Sequence, residues 1–171
     1  AVGITGQLTG SRADLIVADD VESLNNSETQ GMRDKLGNLV KEFDSILKPD
    51  GQIRYLGTYQ TEMSLYKILP DRGYTPRVWT GRYPKSEKVA AYGSYLAPYI
   101  LDKITDDPSL EGKPVDPKRF DEDDLVEREL SYGRSGFALQ FMLDPSLSDA
   151  DRYPLKLKDF IVMDIDREVA P

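Results

Sequence analysis

The stretch DLIVADDVE, residues 14–22, places four consecutive apolar residues directly before two adjacent acids, Asp19 and Asp20, and a third acid, Glu22, follows. A short apolar run without alternation is typical of a strand in the middle of a parallel sheet, buried on both faces. In open α/β sheets, ligands bind at the carboxyl ends of the strands, which is where these acids fall. The stretch therefore predicts a central strand that ends either in a nucleotide or metal site or in a solvated turn before a helix.

Four segments after this strand extend it into an alternating pattern. A helix is predicted at 27–47, a strand at 52–57, a short helix at 61–69 and a third strand at 74–79. Alternating strands and helices are typical of a parallel sheet whose crossovers are right-handed. We therefore predict an α/β fold for the first half of the chain.

The predicted helix at 27–47 has an apolar stripe and signals at both ends. Ser27 and Gln30 form a capping-box pattern at its start, and the turn-forming residues 49–51 would stop it. Its buried stripe is predicted from the helical spacing of Met32, Leu36, Val40, Phe43 and Leu47.

The second half of the chain is predicted to be mainly helical. Two helices are expected within 86–105, with Pro98 at the first position of the second, where its missing N–H costs little. Further helices are predicted at 120–133 and 134–143, and a last short strand at 160–166. This half is therefore expected to be a helical appendage to the sheet.

The composition excludes several kinds of chemistry. The 171 residues contain no cysteine and no histidine, which excludes thiolate zinc sites, imidazole ligands and the Ser-His and Cys-His nucleophile systems. No run of about 18 apolar residues occurs, so no membrane span is predicted. The net charge of −8 excludes a globally basic nucleic-acid binder, although residues 61–100 carry 6 bases against 3 acids.

Three segments in order give the chain a resemblance to the large terminase subunits of short-tailed bacteriophages, the ATP-driven motors that package DNA into procapsids. They are GQLTGSRAD at 6–14, YLGTYQTEMS at 55–64 and GFALQFMLDP at 136–145, and the resemblance covers essentially the entire chain. It implies a partial P-loop NTPase (RecA-like) parallel sheet followed by a helical lid or linker region. The implied domains are the C-terminal half of the ATPase core at 1–84, the helical subdomain at 85–158 and the start of the connection to a nuclease domain at 159–171.

The resemblance implies roles for the acids that end the predicted strand. The apolar run and its two acids match the Walker B motif of the family, in which Asp19 would be the Mg²⁺-coordinating acid. Asp20 matches the catalytic carboxylate, which is Glu in many relatives and is one methylene longer there. Either Asp20 reaches the attacking water by a closer approach, or Glu22 serves as the catalytic acid instead.

Gly57, Thr58 and Arg12 complete the set of candidate site residues. Gly57 and Thr58 match the family's coupling motif at the end of the neighbouring strand, where they would sense the γ-phosphate. Arg12 would contact phosphate or a neighbouring subunit. Without the resemblance, the Gly-Thr pair fits a plain strand-to-helix turn, and Arg12 fits a solvated residue or a partner of Asp14.

The chain contains no G-x-x-x-x-G-K-[ST] sequence and so has no Walker A motif for the phosphates. The family carries Walker A before this region and a nuclease domain after it. We therefore expect a fragment that hydrolyses no ATP by itself, because nothing in it replaces the Walker A Lys. Asp164 and Asp166 imitate the acids of a two-metal nuclease, but their position before the nuclease indicates linker or strand-end acids.

The resemblance also implies cofactors, partners and a location for the full-length protein. The cofactors would be ATP and Mg²⁺. The partners would be double-stranded DNA, the portal protein, the small terminase subunit and further copies of the large subunit in a homo-oligomeric ring, with no membrane. The protein would act in the host cytoplasm of an infected bacterium and transiently at the procapsid portal.

Other interpretations of the acidic strand end stay open. The alternatives are another ring ATPase or helicase with the same sheet, a non-enzymatic α/β interaction domain, and a stand-alone nuclease that uses the acids for metal. The basic and aromatic stretch at 67–88 is a candidate DNA contact. Its alternative is a set of core aromatic residues beside a solvated basic face.

Overall fold

A two-stranded parallel sheet is followed by a series of helices in this computed structural model, which describes residues 3–4, 10–61 and 63–147. The predicted α/β class is confirmed, and the arrangement is compatible with part of a P-loop-like domain. The strands are β1 (Ala13–Asp19) and β2 (Leu47–Leu56). The helices are α1 (Leu24–Ser27), α2 (Gln30–Leu39), α3 (Glu42–Ile46), α4 (Leu65–Ile68), α5 (Ser86–Tyr92), α6 (Pro98–Asp106) and α7 (Glu122–Gln140), with 3₁₀ turns at Pro70–Arg72, Gly93–Tyr95 and Pro108–Leu110.

The two strands keep one register at their carboxyl ends and lose it near their starts. Asp19 pairs with Leu56, and the pairing continues back to Leu15 opposite Gln52, but Ala13 pairs with Leu47. The turn-forming residues 49–51 therefore lie in an irregularity inside β2, where Asp50 has a φ of +64°. The prediction that these residues end a helix is wrong, because α3 has already ended at Ile46.

The helices cover only one face of the sheet. Side chains alternate between faces along a strand, so Ala18 and Ile53 point into the core while Leu15 and Val17 are 56% and 53% exposed on the opposite face. The prediction that β1 is buried on both faces is therefore wrong for the described part of the chain. The core on the covered face consists of Ala18, Val21, Leu36, Val40, Phe43, Ile53, Leu65, Tyr66 and Leu69.

The single helix predicted at 27–47 is broken into α1, α2 and α3. Thr29 adopts an extended backbone and its Oγ1 accepts a hydrogen bond from Met32 N–H at 3.3 Å, so Thr29 caps α2. Ser27 instead ends α1, and its hydroxyl donates to the Ser23 carbonyl at 2.7 Å. The predicted Ser27–Gln30 capping box is therefore wrong, because Thr29 competes for the role one residue before Gln30.

The predicted apolar stripe of this segment is mostly confirmed. Leu36, Val40 and Phe43 are buried in the core. Met32 is 41% exposed, and Leu47 begins β2 instead of ending a helix. The stripe thus survives the two breaks because α2 and α3 pack against the same core.

The third strand predicted at 74–79 does not form. Val78 makes an isolated bridge with Leu96, in which the Val78 N–H donates to the Tyr95 carbonyl at 2.7 Å and the Ala97 N–H donates to Val78 at 2.9 Å. These bonds connect the segment to the chain before α6 and not to the sheet, which contains only β1 and β2 in the described residues. A proline at position 76, which has no N–H to donate, further disfavours a strand there.

The helical half has a core of its own. Pro98 opens α6 at its first turn, as predicted, and Ile100 and Ile104 on this helix are buried. They pack with Tyr83, Leu96 and Ala97. No helix among the described residues has the length and apolar character needed to cross a membrane.

The two helices predicted at 120–133 and 134–143 are the two parts of α7. They meet at Gly133, whose φ of 68° and ψ of 172° interrupt the helix. At the start of α7, the Asp121 side chain accepts a hydrogen bond from Asp124 N–H at 2.9 Å, in a first turn rich in acids. The acids suit the positive end of the helix dipole.

Some predictions concern residues outside the described part of the chain. The strand at 160–166, with Asp164 and Asp166, and the proposed connection at 159–171 lie there. The domain boundary predicted between residues 84 and 85 stays a prediction.

We expect Ile100→Ala to destabilise the 171-residue chain more than Leu101→Ala on the same helix. Ile100 is 0% exposed and Leu101 is 41% exposed, so only the first change opens a cavity. Truncating a buried Ile costs about 2–5 kcal/mol. Urea unfolding followed by circular dichroism measures both variants, and equal losses would contradict the position of the second core.

Candidate functional site

The carboxyl ends of β1 and β2 bring four of the predicted site residues together. Asp19, the last residue of β1, pairs with Leu56, the last residue of β2. The Asp20 N–H donates to the Leu56 carbonyl at 3.0 Å, which places Asp20 beside Gly57 and the following Thr58. Asp19 and Asp20 are both exposed. Two carboxylates therefore stand open to solvent at the edge of the sheet where ligands bind in this class of fold.

The chain makes a sharp turn immediately after β1. Asp20 has a φ of +45°, in the left-handed region that non-glycine residues seldom adopt. Such a conformation costs about 1 kcal/mol or more and persists only where the surroundings hold it. Exposed Asp20 is followed directly by buried Val21 and Glu22, so the turn separates the solvent-facing acids from an acid that enters the core.

Glu22 is 2% exposed, and its carboxylate is bound at the start of α4. One oxygen accepts hydrogen bonds from Leu65 N–H at 2.5 Å and from the Ser64 hydroxyl at 3.1 Å, and the other accepts from Gln60 N–H at 3.3 Å. Burial raises the pKa of Glu22 above its ordinary value, and these three hydrogen bonds and the charge of Arg33 oppose that shift. The carboxylate therefore has less freedom than those of the exposed acids.

Gly57 allows a tyrosine ring to approach the end of β2. The Tyr66 hydroxyl donates to the Leu56 carbonyl at 3.3 Å, which is the same carbonyl that accepts from Asp20. A Cβ atom at position 57 would lie 2.0 Å from the Tyr66 hydroxyl oxygen and 2.4 Å from its Cζ. The close approach expected at this glycine is thus made within the protein by Tyr66, whose pKa is raised to about 12, chiefly by burial.

Thr58 lies half-buried in the segment that joins β2 to α4. Its carbonyl accepts a hydrogen bond from the Gln60 side chain at 3.3 Å. Because the Gln60 N–H also donates to Glu22, the segment 57–60 is connected both to itself and to the end of β1.

Arg12 does not join the other candidate site residues. It precedes β1, whose seven residues separate it from the acids by roughly 20 Å at the usual rise of a strand. It is exposed and donates to the neighbouring Ser11 carbonyl at 2.8 Å. Asp14 pairs with Lys48 at 2.9 Å, so the alternative that Arg12 is the partner of Asp14 is not seen. Contact of Arg12 with a neighbouring subunit stays a prediction.

Two residues of this region were missed by sequence reasoning. Ser64 caps α4 by accepting a hydrogen bond from Tyr66 N–H at 3.2 Å, and a serine before an apolar helical run could have indicated this. Tyr66 packs against Gly57 across the fold, and no local pattern in the sequence indicates that contact.

The donor set at the strand ends suits a metal that is shared with a ligand. In the parts of the chain that the structure describes, no group of three or more acids is arranged to hold a metal ion by itself. Mg²⁺ in nucleotide sites commonly uses one or two protein carboxylates together with water and substrate phosphates. The exposed carboxylate of Asp19 fits that arrangement and does not fit an all-protein metal cage.

Comparison with known proteins identifies a relative of the whole chain. The chain is 57% identical over 176 aligned residues to the terminase large subunit of Enterobacteria phage T3, and the match includes 100% of the chain. The chain spans 30% of the length of that relative. No family model matches the chain.

We expect Gly57→Ala to destabilise the chain, whereas Gly31→Ala serves as the matched control. The new methyl group at 57 overlaps the Tyr66 ring, and overpacking of this kind costs about 1–3 kcal/mol. Gly31 lies in α2 with no atom near its added Cβ, so alanine there is expected to be neutral or to stabilise by up to about 1 kcal/mol. Urea unfolding compares the two, and equal stabilities would exclude the Tyr66 contact.

We expect Glu22→Gln to change how stability depends on pH. A raised carboxyl pKa means that the folded protein binds the proton more tightly than the unfolded chain. The contribution of Glu22 to stability is therefore fully present below its ordinary pKa of 4.5 and is lost as the pH rises through the folded-state pKa. The wild type should lose stability relative to the variant over this window, as measured by urea unfolding at a series of pH values.

The control for this comparison is Glu28→Gln, which removes one negative charge from an exposed position. If the stability difference between the wild type and Glu22→Gln does not vary with pH, the placement of Glu22 in a buried environment that raises its pKa is wrong.

Proposed function

We propose that this chain forms part of the ATP-hydrolysing motor with which a large terminase subunit drives viral DNA into procapsids. The chain fits a segment of such a subunit, as its sequence resemblance predicted. The observation that carries this proposal is the meeting of Asp19, Asp20, Gly57 and Thr58 at the carboxyl ends of two parallel strands. An open edge of this kind, with exposed acids beside a glycine turn, suits a nucleoside triphosphate.

The two exposed acids have separate roles in this proposal. Asp19 holds Mg²⁺, which when bound neutralises charge on the phosphate oxygens. Asp20 orients the attacking water and accepts its proton, the work of a general base. The geometry favours Asp20 over Glu22 for this role, because the Glu22 carboxylate is buried and already accepts three hydrogen bonds.

The segment 57–60 transmits the state of the phosphates to the helices. The Thr58 hydroxyl would contact the γ-phosphate or the attacking water, and Gln60 connects the same segment to the end of β1 through Glu22. A cavity of about 480 Å³ lies between the end of β2 and the segment 73–79. This space would allow the helical region to move against the sheet when the segment shifts.

The proposed activity belongs to the full-length subunit. The sequence of this chain has no Walker A motif, so the isolated chain would not hydrolyse ATP. We extend the proposal to partners and place on the basis of the relationship alone: double-stranded DNA, the portal protein, the small terminase subunit and a ring of large subunits, in the host cytoplasm and at the portal. The match to a terminase large subunit favours this motor over another ring ATPase or helicase and over a non-enzymatic domain.

We do not propose that residues 67–88 contact DNA. Arg82 donates to the Gly112 carbonyl at 2.8 Å and pairs with Glu122, and Lys88 pairs with Asp144 at 3.5 Å. Tyr83 of this stretch and the neighbouring Tyr66 are buried, whereas Trp79 is 54% exposed. The alternative of core aromatic residues beside a solvated basic face therefore fits only in part, because Tyr83 is buried but Trp79 is exposed and Arg82 binds within the chain.

We expect Asp19→Ala to abolish ATP hydrolysis by the full-length terminase subunit and Asp20→Asn to reduce it strongly. The first change removes the metal-binding carboxylate, and the second removes a general base that contributes about 10²–10⁴-fold. Phosphate release in the presence of Mg²⁺ measures the rates.

Asp14→Asn is the matched control, since Asp14 lies on the same strand at the opposite end and pairs with Lys48. If Asp14→Asn reduces the rate as much as Asp20→Asn, or if neither site variant reduces it, the assignment of this strand end as the hydrolytic site is wrong.

A further inference from the structure

Glu22 is the one charged residue that is fully buried in the described part of the chain. The proposed function gives it no part in the reaction itself, although it lies two residues from the proposed base. Burial of a carboxylate is unfavourable unless its hydrogen bonds are satisfied. Here the three donors all come from the segment 60–65, which includes the start of α4. So specific an arrangement needs an explanation beyond packing.

We propose that Glu22 is a positioning residue for Asp20 and for the segment 57–64. Its carboxylate ties the end of β1 to the start of α4, and this tie holds the left-handed turn at Asp20 in the arrangement that hydrolysis requires. The inference rests on the proposed function, and it gives Glu22 a role that is neither proton transfer nor metal binding.

The hydrogen bonds form a closed circuit around the strand ends. The Leu56 carbonyl accepts from both the Asp20 N–H and the Tyr66 hydroxyl. Tyr66 is the neighbour of Leu65, whose N–H donates to Glu22. Asp20 and Glu22 are thus connected to the same short unit, one through the end of β2 and the other through the start of α4. Loss of either connection leaves the turn between them held at one end only.

The backbone of Asp20 shows why both connections are needed. A φ of +45° is unfavourable for a residue with a side chain and returns to negative values unless its neighbours prevent it. On one side the Asp20 N–H is fixed by Leu56, and on the other side Glu22 is fixed by α4. Release of Glu22 would therefore let the turn relax and would move the Asp20 carboxylate.

The same carboxylate also sets the path of the segment after β2. This segment is fixed at its start by the pairing of Leu56 and at its end by the bonds from Gln60, Ser64 and Leu65 to Glu22. Thr58 lies between the two fixed points. A shift of Thr58 that follows a change in its phosphate contact would move α4 only while Glu22 holds the α4 end of this segment.

The test compares Glu22→Gln with Glu22→Ala in the full-length terminase subunit, with Asp20→Asn measured beside them. Gln keeps an oxygen that can accept from Leu65 N–H, whereas Ala keeps no acceptor. We expect Glu22→Gln to reduce kcat for ATP by about 10-fold and Glu22→Ala by about 100-fold, with KM little changed, because misplacement of a reacting group has effects of this size. A general base would instead give Gln and Ala variants that are equally inactive, and that result would overturn the inference.

A double-mutant cycle with Ser64→Ala adds a readout that a merely structural role elsewhere would not move. The Ser64 hydroxyl donates to Glu22, so the two residues should act as a unit. Because Ala at position 22 leaves the Ser64 hydroxyl without this acceptor, we expect Glu22→Ala/Ser64→Ala to reduce kcat by less than the product of the two separate reductions. Independent, multiplying effects on kcat would overturn the inference.

Hydrogen exchange of the full-length subunit keeps the test decisive if activity is lost for other reasons. The amides of Gln60 and Leu65 donate to Glu22 and should exchange faster in Glu22→Ala, while amides of α6 should not change. Unchanged exchange at both amides would overturn the inference. Failure of the proposed function is distinguishable, because Asp20→Asn would then leave ATP hydrolysis intact whatever Glu22 does.

Discussion

The parallel pairing of β1 with β2 is the constraint on which the rest of this structure depends. Parallel strands bring their carboxyl ends to one edge, so residues 37 positions apart, Asp19 and Leu56, become direct partners. Two strands alone are marginal in water, and here the pair is stabilised by helices that cover one face. The ladder does not end with the strands, because Asp20 adds one more bond to Leu56. That last bond places an acid beside the glycine that follows β2.

The chain that follows α7 binds back to residues 81–92. The Gly81 N–H donates to the Phe141 carbonyl at 2.6 Å, and the Tyr92 hydroxyl donates to the Met142 carbonyl at 2.7 Å. The residues after α7 therefore bind both the loop before α5 and α5 itself. Leu143, after α7, and the end of β2 line the same cavity. The two cores are built separately, each from its own apolar residues.

Local signals in the sequence were sufficient where one residue decides the outcome. Pro98 opens α6 because its ring suits a first turn, and the apolar run before Asp19 forms a strand. They failed where two residues compete, as Thr29 did with Ser27 for the start of α2. They also failed where the partner is distant, as at Val78, whose bonds go to the chain before α6.

The candidate site shows the same division. The meeting of Asp19 with Gly57 follows from the order of strands and was predictable once a parallel sheet was assumed. The burial of Glu22 was not predictable from the sequence, because it depends on hydrogen-bond donors from a distant part of the chain. Side-chain chemistry was therefore readable from the sequence, whereas side-chain surroundings were not.

The left-handed turn at the end of β1 bears on which amino acids this position accepts. Asp and Asn enter that backbone region several times more readily than most residues, because their short polar side chains interact favourably with the local backbone. The backbone conformation at position 20 therefore favours Asp over Glu independently of the reaction. Glu at this position would adopt the same turn at a higher backbone cost, so the local geometry favours the shorter acid here.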